Sequence, residues 1–585
     1  MHFKYQYITT KKIKKSFNIW DAFAITLVIW LFVALKNTMG YMSSPVPLSL
    51  EHTLSLDPLH LPEYAFRSII RIFLALIASV IFSVIYALIA AKNKYLQKAM
   101  ISLLDIMQSI PILGYLSFTL AGFIALFPGR MLGLELAVIF TVFTCQVWNI
   151  TYSIYQSIIT IPENLKNTDT VFKLNPIQRF ILVEFPYAIP SLIWNIMISI
   201  SNSWFFVVAS EAIIDGNNAF FLPGIGSYIA SAIGHEDLHS IFYAIGTMGV
   251  IILLYDQFLF RPLVEWSKKF RYDFTQSDSG FNKSWDKKLV TNSKILKILN
   301  HPFKKIYRYL IAHRFADSVT NNHNSSKRTK SSVKKHERIK EIFWYLVVFM
   351  LSGYSLYKVG IFLHTEIPIS EIQHTLYLGL ITTIRIIAVM LITVVVWLPI
   401  SIYIGFNPKL AKIAQPLALT FASFPANLIF PLCIFVIQKY NLNPDIWLSV
   451  LLILSMQWYL VFNIIAGAST FPANLKEVVK TFDIKGIKLL FKIITPSILP
   501  HFLVGAITAW GSAWNSTIVA EFAEWGTTKL TATGIGAYVT EANNAGDMSK
   551  IILGILVMLI YIEFFNRFFW RPLFHYADKM EKLKN

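Results

Sequence analysis

The chain is poor in the residues that build most catalytic and metal sites. Its two cysteines among 585 residues, Cys145 and Cys433, both lie inside apolar segments, so we expect buried thiols and no disulfide framework. The 13 histidines are scattered without a His-x-x-x-His pair or a carboxylate cluster, which disfavours a metal or hydrolytic site. No segment reads Gly-x-x-x-x-Gly-Lys-Ser/Thr, so no ATP-binding loop is expected in this chain.

Charged residues are also scarce, at 15%, whereas 55% of the residues are hydrophobic and the mean hydropathy is +0.54. Several apolar runs reach about 18 residues, which is enough for a helix to cross a bilayer. The sequence therefore predicts an integral membrane protein. Its first apolar run, residues 17–35, is too long for a signal peptide and lacks a small-residue cleavage site, so we expect it to remain as a membrane helix.

The net charge of +19 is concentrated beside predicted spans. Residues 265–340 carry 19 Lys and Arg against 6 Asp and Glu, and five lysines lie in the first twenty residues. Basic residues beside spans favour the cytoplasmic side, so this charge is explained by topology and not by binding of nucleic acid. Both termini are predicted to be cytoplasmic.

Twelve membrane helices are predicted, six in each half of an all-α polytopic protein. The predicted spans are 18–36, 64–91, 102–127, 132–158, 188–213, 241–263, 341–363, 372–405, 411–437, 446–469, 497–521 and 550–571. The predicted domains are 1–63 with the first span, 64–270 as the first multi-span domain, 271–340 as a basic cytoplasmic linker, 341–370 with a further span, and 371–578 as the second multi-span domain.

The strongest feature of the sequence is an internal repeat. Residues 162–166 read Pro-Glu-Asn-Leu-Lys, and residues 472–476, 310 positions later, read Pro-Ala-Asn-Leu-Lys. The same offset holds as far as Leu263 and Leu573, whereas it is 314 before Pro111 and Pro425. Two copies of one domain are therefore predicted, with a four-residue length change in the loop between the third and fourth spans.

A cytoplasmic segment between the fourth and fifth spans is amphipathic in both copies. Each begins at a proline, which favours the first turn of a helix, and continues with apolar residues at helical spacing. A short helix on the cytoplasmic face is therefore predicted in each copy. The segments resemble the coupling loops of ABC importer permeases, and the resemblance implies ATPase coupling through Pro162, Glu163, Leu165, Lys166, Phe172, Pro472, Asn474, Leu475, Lys476, Glu477 and Phe482.

This pattern resembles the EAA loop of ABC importer permeases, and it is most similar to the nitrate, sulfonate and taurine branch. The second copy has the acidic Glu477 where the first has Asn167, and neither has the usual glycine. The resemblance implies a type I ABC importer permease fold, a bacterial inner membrane location and both transmembrane domains on one chain. It further implies a homodimer of separate ATPase subunits, which bind ATP as the cofactor. Its other implied partners are a periplasmic or surface solute-binding protein and the surrounding membrane lipid, and the transported solute is expected to be a small anion.

Polar residues within the fifth spans are candidates for a translocation path or gate. They are Ser203, Trp204, Glu211, Ser512, Trp514 and Glu521. The two glutamates have an alternative role, which is to cap the glycine-containing loops that follow them. We expect Arg71 and Arg385 to extend towards the membrane surface and Glu135 to lie at the interface, without a counterpart in the repeat.

Two other functions remain open. A secondary transporter with parallel six-helix repeats would be expected to carry paired acids or broken helices at mid-span, and few are visible. A membrane enzyme would be expected to cluster His, Asp or Glu at one membrane face, which the sequence does not show. An adjacent ATPase gene would favour the importer.

Overall fold

In the computed structural model the described residues are 54–166, 174–215, 218–270, 364–469 and 493–582, with short pieces near 40–45, at 172, within 346–362, and at 471, 481, 482 and 486. The predicted first span and the linker 271–340 lie outside the described residues, as does much of 341–363. Residues 163–183 belong to one compact unit, and the helices of both halves belong to another.

The described helices and strands of the first half follow one another in a simple order. They are α1 (Leu61–Lys92), α2 (Lys94–Ser109), α3 (Leu116–Leu126), α4 (Met131–Ile159), a short turn of helix (Pro176–Arg179), α5 (Phe185–Glu211), β1 (Ala212–Asp215), β2 (Asn218–Phe221), α6 (Ile225–Gly234), α7 (Leu238–Tyr255) and α8 (Arg261–Ser267).

The second half repeats this order. Its elements are α9 (Ile369–Phe406), α10 (Pro408–Ser423), α11 (Phe430–Lys439), a short turn of helix (Pro444–Trp447), α12 (Ser449–Ser469), α13 (Thr495–Ala520), β3 (Phe522–Trp525), β4 (Thr528–Thr531), α14 (Ile535–Ala545), α15 (Met548–Phe565) and α16 (Arg571–Lys582). Even a π-helical turn recurs, at Asp256–Phe260 and at Asn566–Trp570. The predicted duplication is confirmed, because the longer helices and both hairpins recur in the same order.

Seven helical segments in the described part of the chain are long and apolar enough to cross a membrane, and an eighth is added if a bent pair forms one span. The seven are Pro58–Lys92, Met131–Ile159, Pro176–Glu211, Leu238–Ser267, Ile369–Phe406, Pro444–Ser469 and Met548–Ala577. A further predicted span corresponds to the 26-residue helix α13.

The third span of each half is broken and is not the continuous helix that the sequence predicts. Helix α2 ends at Ser109, and a short 3-10 turn follows Pro111 before α3 begins. In the second half the corresponding pieces are bent by 70° after Pro425. The residue before a proline avoids helical backbone angles, and this explains both breaks.

The starting residues of equivalent helices show where the offset between the two copies changes from 314 to 310. Leu116 and Phe430 start α3 and α11 at an offset of 314, whereas α7 and α15 start at Leu238 and Met548, an offset of 310. Glu135 and Asp445 already have the shorter offset and occupy matching sites, described below. The length change therefore falls around the connection between α3 and α4, as predicted.

Burial separates central helices from peripheral ones. About two thirds of the apolar window of α4 is buried, against 28% for α1, whose Ile77, Ile81 and Ile85 are more than half exposed. In a membrane such exposed apolar stripes face lipid. The structure adds one feature that the sequence did not predict: two short antiparallel hairpins, in which Ala212 pairs with Phe221 and Phe522 with Thr531.

Candidate functional site

The last turn of α5 is held by a buried group of polar side chains. The Oε1 atom of Glu211 accepts hydrogen bonds from Arg71 Nη1 at 2.6 Å and from Ser68 Oγ at 2.5 Å, and its Oε2 accepts one from the backbone N–H of Gly226 at 2.7 Å. Glu211 and Ser68 are fully buried, and Arg71 is 1% exposed. We call this group the first clamp, because it joins α1, the end of α5 and the start of α6.

A second carboxylate completes the first clamp. Arg71 donates from Nε and Nη2 to the two oxygens of Glu135 on α4, each at 2.7 Å. Planar, two-point contacts of this kind are among the strongest that a guanidinium makes. The expectations that Arg71 extends to the membrane surface and that Glu135 lies at the interface are wrong, because both side chains are buried and paired with each other.

The second half contains an equivalent group, the second clamp. Arg385 and Thr382 donate to Oε1 of Glu521, and the backbone N–H of Gly536 donates to Oε2 at 2.7 Å. Asp445 takes the place of Glu135 but is half exposed, and it lies 3.5 Å from Arg385. The second clamp therefore has the same parts, with one carboxylate that is shorter by a methylene and open to solvent.

Glycine is required where the loop approaches each clamp. A Cβ atom added to Gly224 would lie 2.3 Å from the carboxylate of Glu211, and one added to Gly534 would lie 2.2 Å from that of Glu521. Such distances are well inside van der Waals contact, so the loop lies against the carboxylate because these residues have no side chain. The interpretation of both glutamates as caps for the following loops is confirmed.

Polar contacts also join the two halves. Asn427 Nδ2, next to the break in the third span, donates to the carbonyl of Phe205 on α5 at 3.1 Å. In the other direction, Asn515 on α13 accepts from the backbone N–H of Ile112 at 2.8 Å. Both broken spans therefore present backbone or amide groups to the fifth span of the opposite half, which a continuous helix would keep within itself.

A cavity at this interface, between described residues of both halves, has a volume of about 440 Å³. Its wall is formed by the ends of α5 and α13, both hairpins, and parts of α6, α11 and α14, and it is mostly apolar. Glu524 is the one ionisable residue among those that line it, and Asn427, Thr540, Asn543 and Asn544 are the other polar ones. A smaller cavity of about 30 Å³ lies against the middle of α5 and includes Ser512.

The predicted path residues separate into two groups. Ser512 lines the smaller cavity, whereas the other five are at most 2% exposed and line neither cavity. The buried five are Ser203, Trp204, Glu211, Trp514 and Glu521. For these five a place in the translocation path remains a prediction. On α5, the smaller cavity is lined by Ser201, Asn202 and Phe205, and the larger one by Ala209.

The predicted ATPase-contacting residues are described in part. A helix begins at Glu163, directly after Pro162, and includes Leu165 and Lys166. Phe172 and its counterpart Phe482 are 64% and 71% exposed. Pro472, Asn474, Leu475, Lys476 and Glu477 lie outside the described residues.

Sequence comparisons identify relatives of both halves. The profile of the family described as binding-protein-dependent transport system inner membrane component matches residues 63–260 and 397–569, together more than half of the chain. The nitrate import permease protein NrtB of Synechocystis is 25% identical over 246 residues, which are 41% of this chain and 84% of that protein.

Two further relatives match shorter parts of their own length. The bicarbonate transport system permease protein CmpB of Synechocystis is 28% identical over 121 residues, 21% of this chain and 41% of that protein. The glycine betaine/proline betaine transport system permease protein ProW of Escherichia coli is 22% identical over 215 residues, 36% of this chain and 60% of that protein. With two family domains, apolar helices throughout the described residues and the type I permease fold, this chain belongs to the binding-protein-dependent transport system inner membrane components and is a multi-pass ABC permease.

Proposed function

We propose that this chain supplies both transmembrane halves of an ABC importer for a small anion. The observation that carries the proposal is the pairing of two family domains around cavities lined by residues of both of them. In this arrangement a solute passes between the halves, and the fused chain takes the place of a dimer of permease subunits. The anionic solute is supported by the nitrate and bicarbonate permeases among the relatives.

ATP is bound by separate ATPase subunits, which contact the two amphipathic loops of this chain. Phe172 and Phe482 support this assignment, because each presents a large apolar side chain at the equivalent point of its loop. A buried aromatic anchor is a common source of affinity at protein interfaces. The loops differ in charge, with Asn167 and Lys173 in one and Glu477 and Asp483 in the other, so the two ATPase contacts need not be equally strong.

The ATPase contact is tested by co-purification. Phe172→Asp combined with Phe482→Asp should reduce recovery of the ATPase subunits at least tenfold, because a carboxylate would be buried without a partner at each contact. Leu165→Asp with Leu475→Asp should have the same effect. Tyr440→Asp is the matched control: Tyr440 is 66% exposed, but it lies at the opposite end of the fourth span from the loop.

The transport assignment is tested in vesicles that contain the permease, its ATPase subunits and a solute-binding protein. Nitrate uptake should require ATP and fall to background in the double Phe variant. ATPase recovery that is unchanged by both double substitutions would contradict the loop assignment. ATP-dependent uptake of betaine without uptake of nitrate or bicarbonate would contradict the anion.

A further inference from the structure

Two neighbouring hydrogen bonds between the halves are present on one side of the interface and not at the equivalent described positions on the other side. Ser423 Oγ on α10 lies 2.7 Å from Ser201 Oγ on α5, and the Tyr459 hydroxyl on α12 donates to Asn202 Oδ1 at 2.7 Å. These four side chains form a patch at the middle of the interface, which we call the off-axis patch. The small cavity of about 30 Å³ lies beside it.

The equivalent positions on the other side of the interface have different residues. Gly511 corresponds to Ser201, Ser512 to Asn202, Ser109 to Ser423 and Asn149 to Tyr459. A glycine has no hydroxyl with which to form the first bond, and the Asn149 amide oxygen accepts from Gln108 in its own half. A dimer of identical subunits would carry such a patch twice, whereas the fused chain carries it once, on one side of the pseudo-twofold axis.

The off-axis patch carries no charge, and its Ser423 and Tyr459 hydroxyls donate to Ser201 and Asn202 across the interface, so these two O–H groups are free to bind a solute only when the halves separate. The Tyr459 hydroxyl donates to the amide oxygen of Asn202, and the amide nitrogen of Asn202 has no hydrogen-bond partner among the described residues. Asn202 also lines the small cavity, so its two N–H groups are available there. Among the residues lining that cavity, the other polar side-chain groups are serine and tyrosine hydroxyls and the indole N–H of Trp458, and none of the lining residues is ionisable at neutral pH.

We propose that the solute is bound in passage at the off-axis patch, and that it is a small oxyanion held by uncharged N–H and O–H donors. The inference rests on the proposed function. Neutral donors in a site of low dielectric bind an anion appreciably, while a lysine or arginine there would hold it too firmly for release. A cavity of about 30 Å³ holds one or two water molecules, so the halves must separate at Ser201 and Ser423 for the solute to enter.

Cross-linking tests whether this contact opens. The native cysteines are first removed by Cys145→Ala and Cys433→Ala, and the test pair Ser201→Cys and Ser423→Cys is then introduced. The complex with the ATPase subunits is oxidised in two states, without nucleotide and after trapping with ATP and vanadate. The disulfide should form without nucleotide and fall at least fivefold in the trapped complex. The matched control is Ser83→Cys with Thr151→Cys, whose hydroxyls are 2.8 Å apart within the first half, and its yield should not depend on nucleotide.

Uptake kinetics test the donors. Tyr459→Phe and Asn202→Ala should each raise the KM for nitrate by about tenfold, the effect of losing one hydrogen bond to a charged ligand, and ATP hydrolysis should persist. Asn149→Ala, at the position equivalent to Tyr459, should leave KM within twofold. A merely structural contact would instead lower the amount of folded complex without changing KM.

The outcomes distinguish this inference from the proposed function. A complex that hydrolyses ATP but gives the same Ser201–Ser423 cross-link in both states would overturn the off-axis patch and leave the importer assignment intact. Equal KM values for the Tyr459, Asn202 and Asn149 variants would also overturn the solute site at the off-axis patch and leave the importer assignment intact. Failure of any ATPase subunit to bind the unaltered chain would overturn the proposed function itself.

Discussion

The arginines of the two clamps, Arg71 and Arg385, occupy equivalent positions in the repeat and differ in their surroundings. Arg71 lies between two carboxylates that are at most 1% exposed, whereas Arg385 has one buried partner, Glu521, and one half-exposed partner, Asp445. Buried ion pairs contribute little net stability compared with apolar packing, but removing one partner is costly because the other charge remains desolvated. The first clamp is therefore the more sensitive of the two.

Arg71→Met should destabilise the protein by roughly 3–5 kcal/mol, because two buried carboxylates lose their cation. Arg385→Met should cost less, since water reaches Asp445. Thermal unfolding of the detergent-solubilised protein, followed by size-exclusion chromatography, measures both. An equal or greater loss of thermal stability in the Arg385 variant would contradict the difference between the clamps.

At the scale of elements, the clamps position the loops that follow α5 and α13. Each loop passes from a hairpin to a short helix, and it can lie against the preceding carboxylate because Gly224 and Gly534 lack a side chain. The breaks after Pro111 and Pro425 have a related effect, since they release backbone groups of the third span for contacts with the opposite half. Interruptions of helical structure thus occur where the halves meet.

Gly224→Ala should lower thermal stability and the amount of folded protein, because the new methyl group would lie 2.3 Å from the Glu211 carboxylate. A cost of about 1–3 kcal/mol is typical of such overpacking. Gly246→Ala is the control: no heavy atom lies within 4 Å of its added Cβ, and alanine favours the helix α7 in which it lies. Equal stability of the two variants would show that the loop moves aside.

For the whole molecule, the duplication places two pseudo-equivalent domains on one chain, and apart from residues 163–183 the described helices and strands of both halves belong to one compact unit. Hydrogen bonds across the interface come from both directions, and Asp105 of the first half lies 3.6 Å from Arg571 of the second. Covalent fusion then fixes a ratio of one first half to one second half, while the packing of the helices holds the two halves together.

Residues 1–320 and 321–585, expressed as two separate chains, should therefore assemble. A tag on the first chain should recover the second in nearly equal amount from detergent, because the contacts between the halves do not depend on the peptide bond. An untagged first chain provides the control for nonspecific binding. Recovery of the tagged half alone would indicate that the linker is needed for pairing.

The sequence predicted the architecture well because its signals are local or repeated. Apolar runs, basic flanks and the shared offset each indicate helices or duplication without knowledge of packing. The clamps were missed because Arg71 is 64 residues from Glu135 and 140 from Glu211 in the chain. One signal was present: Glu135 and Asp445 share the 310-residue offset, so acidic residues at matched positions could have been paired with the matched arginines.

Composition and repetition alone determined that this chain crosses the membrane and consists of two copies of one domain, since apolar surface and sequence identity do not depend on folding. Tertiary structure decided which polar residues are structural and which face the interface. Trp204 and Glu211 are buried within the first half, whereas Asn202, two positions before Trp204, meets Tyr459 of the second. Neighbouring residues on a helix point in different directions, and only the packing of the two halves determines which side chains face the opposite half.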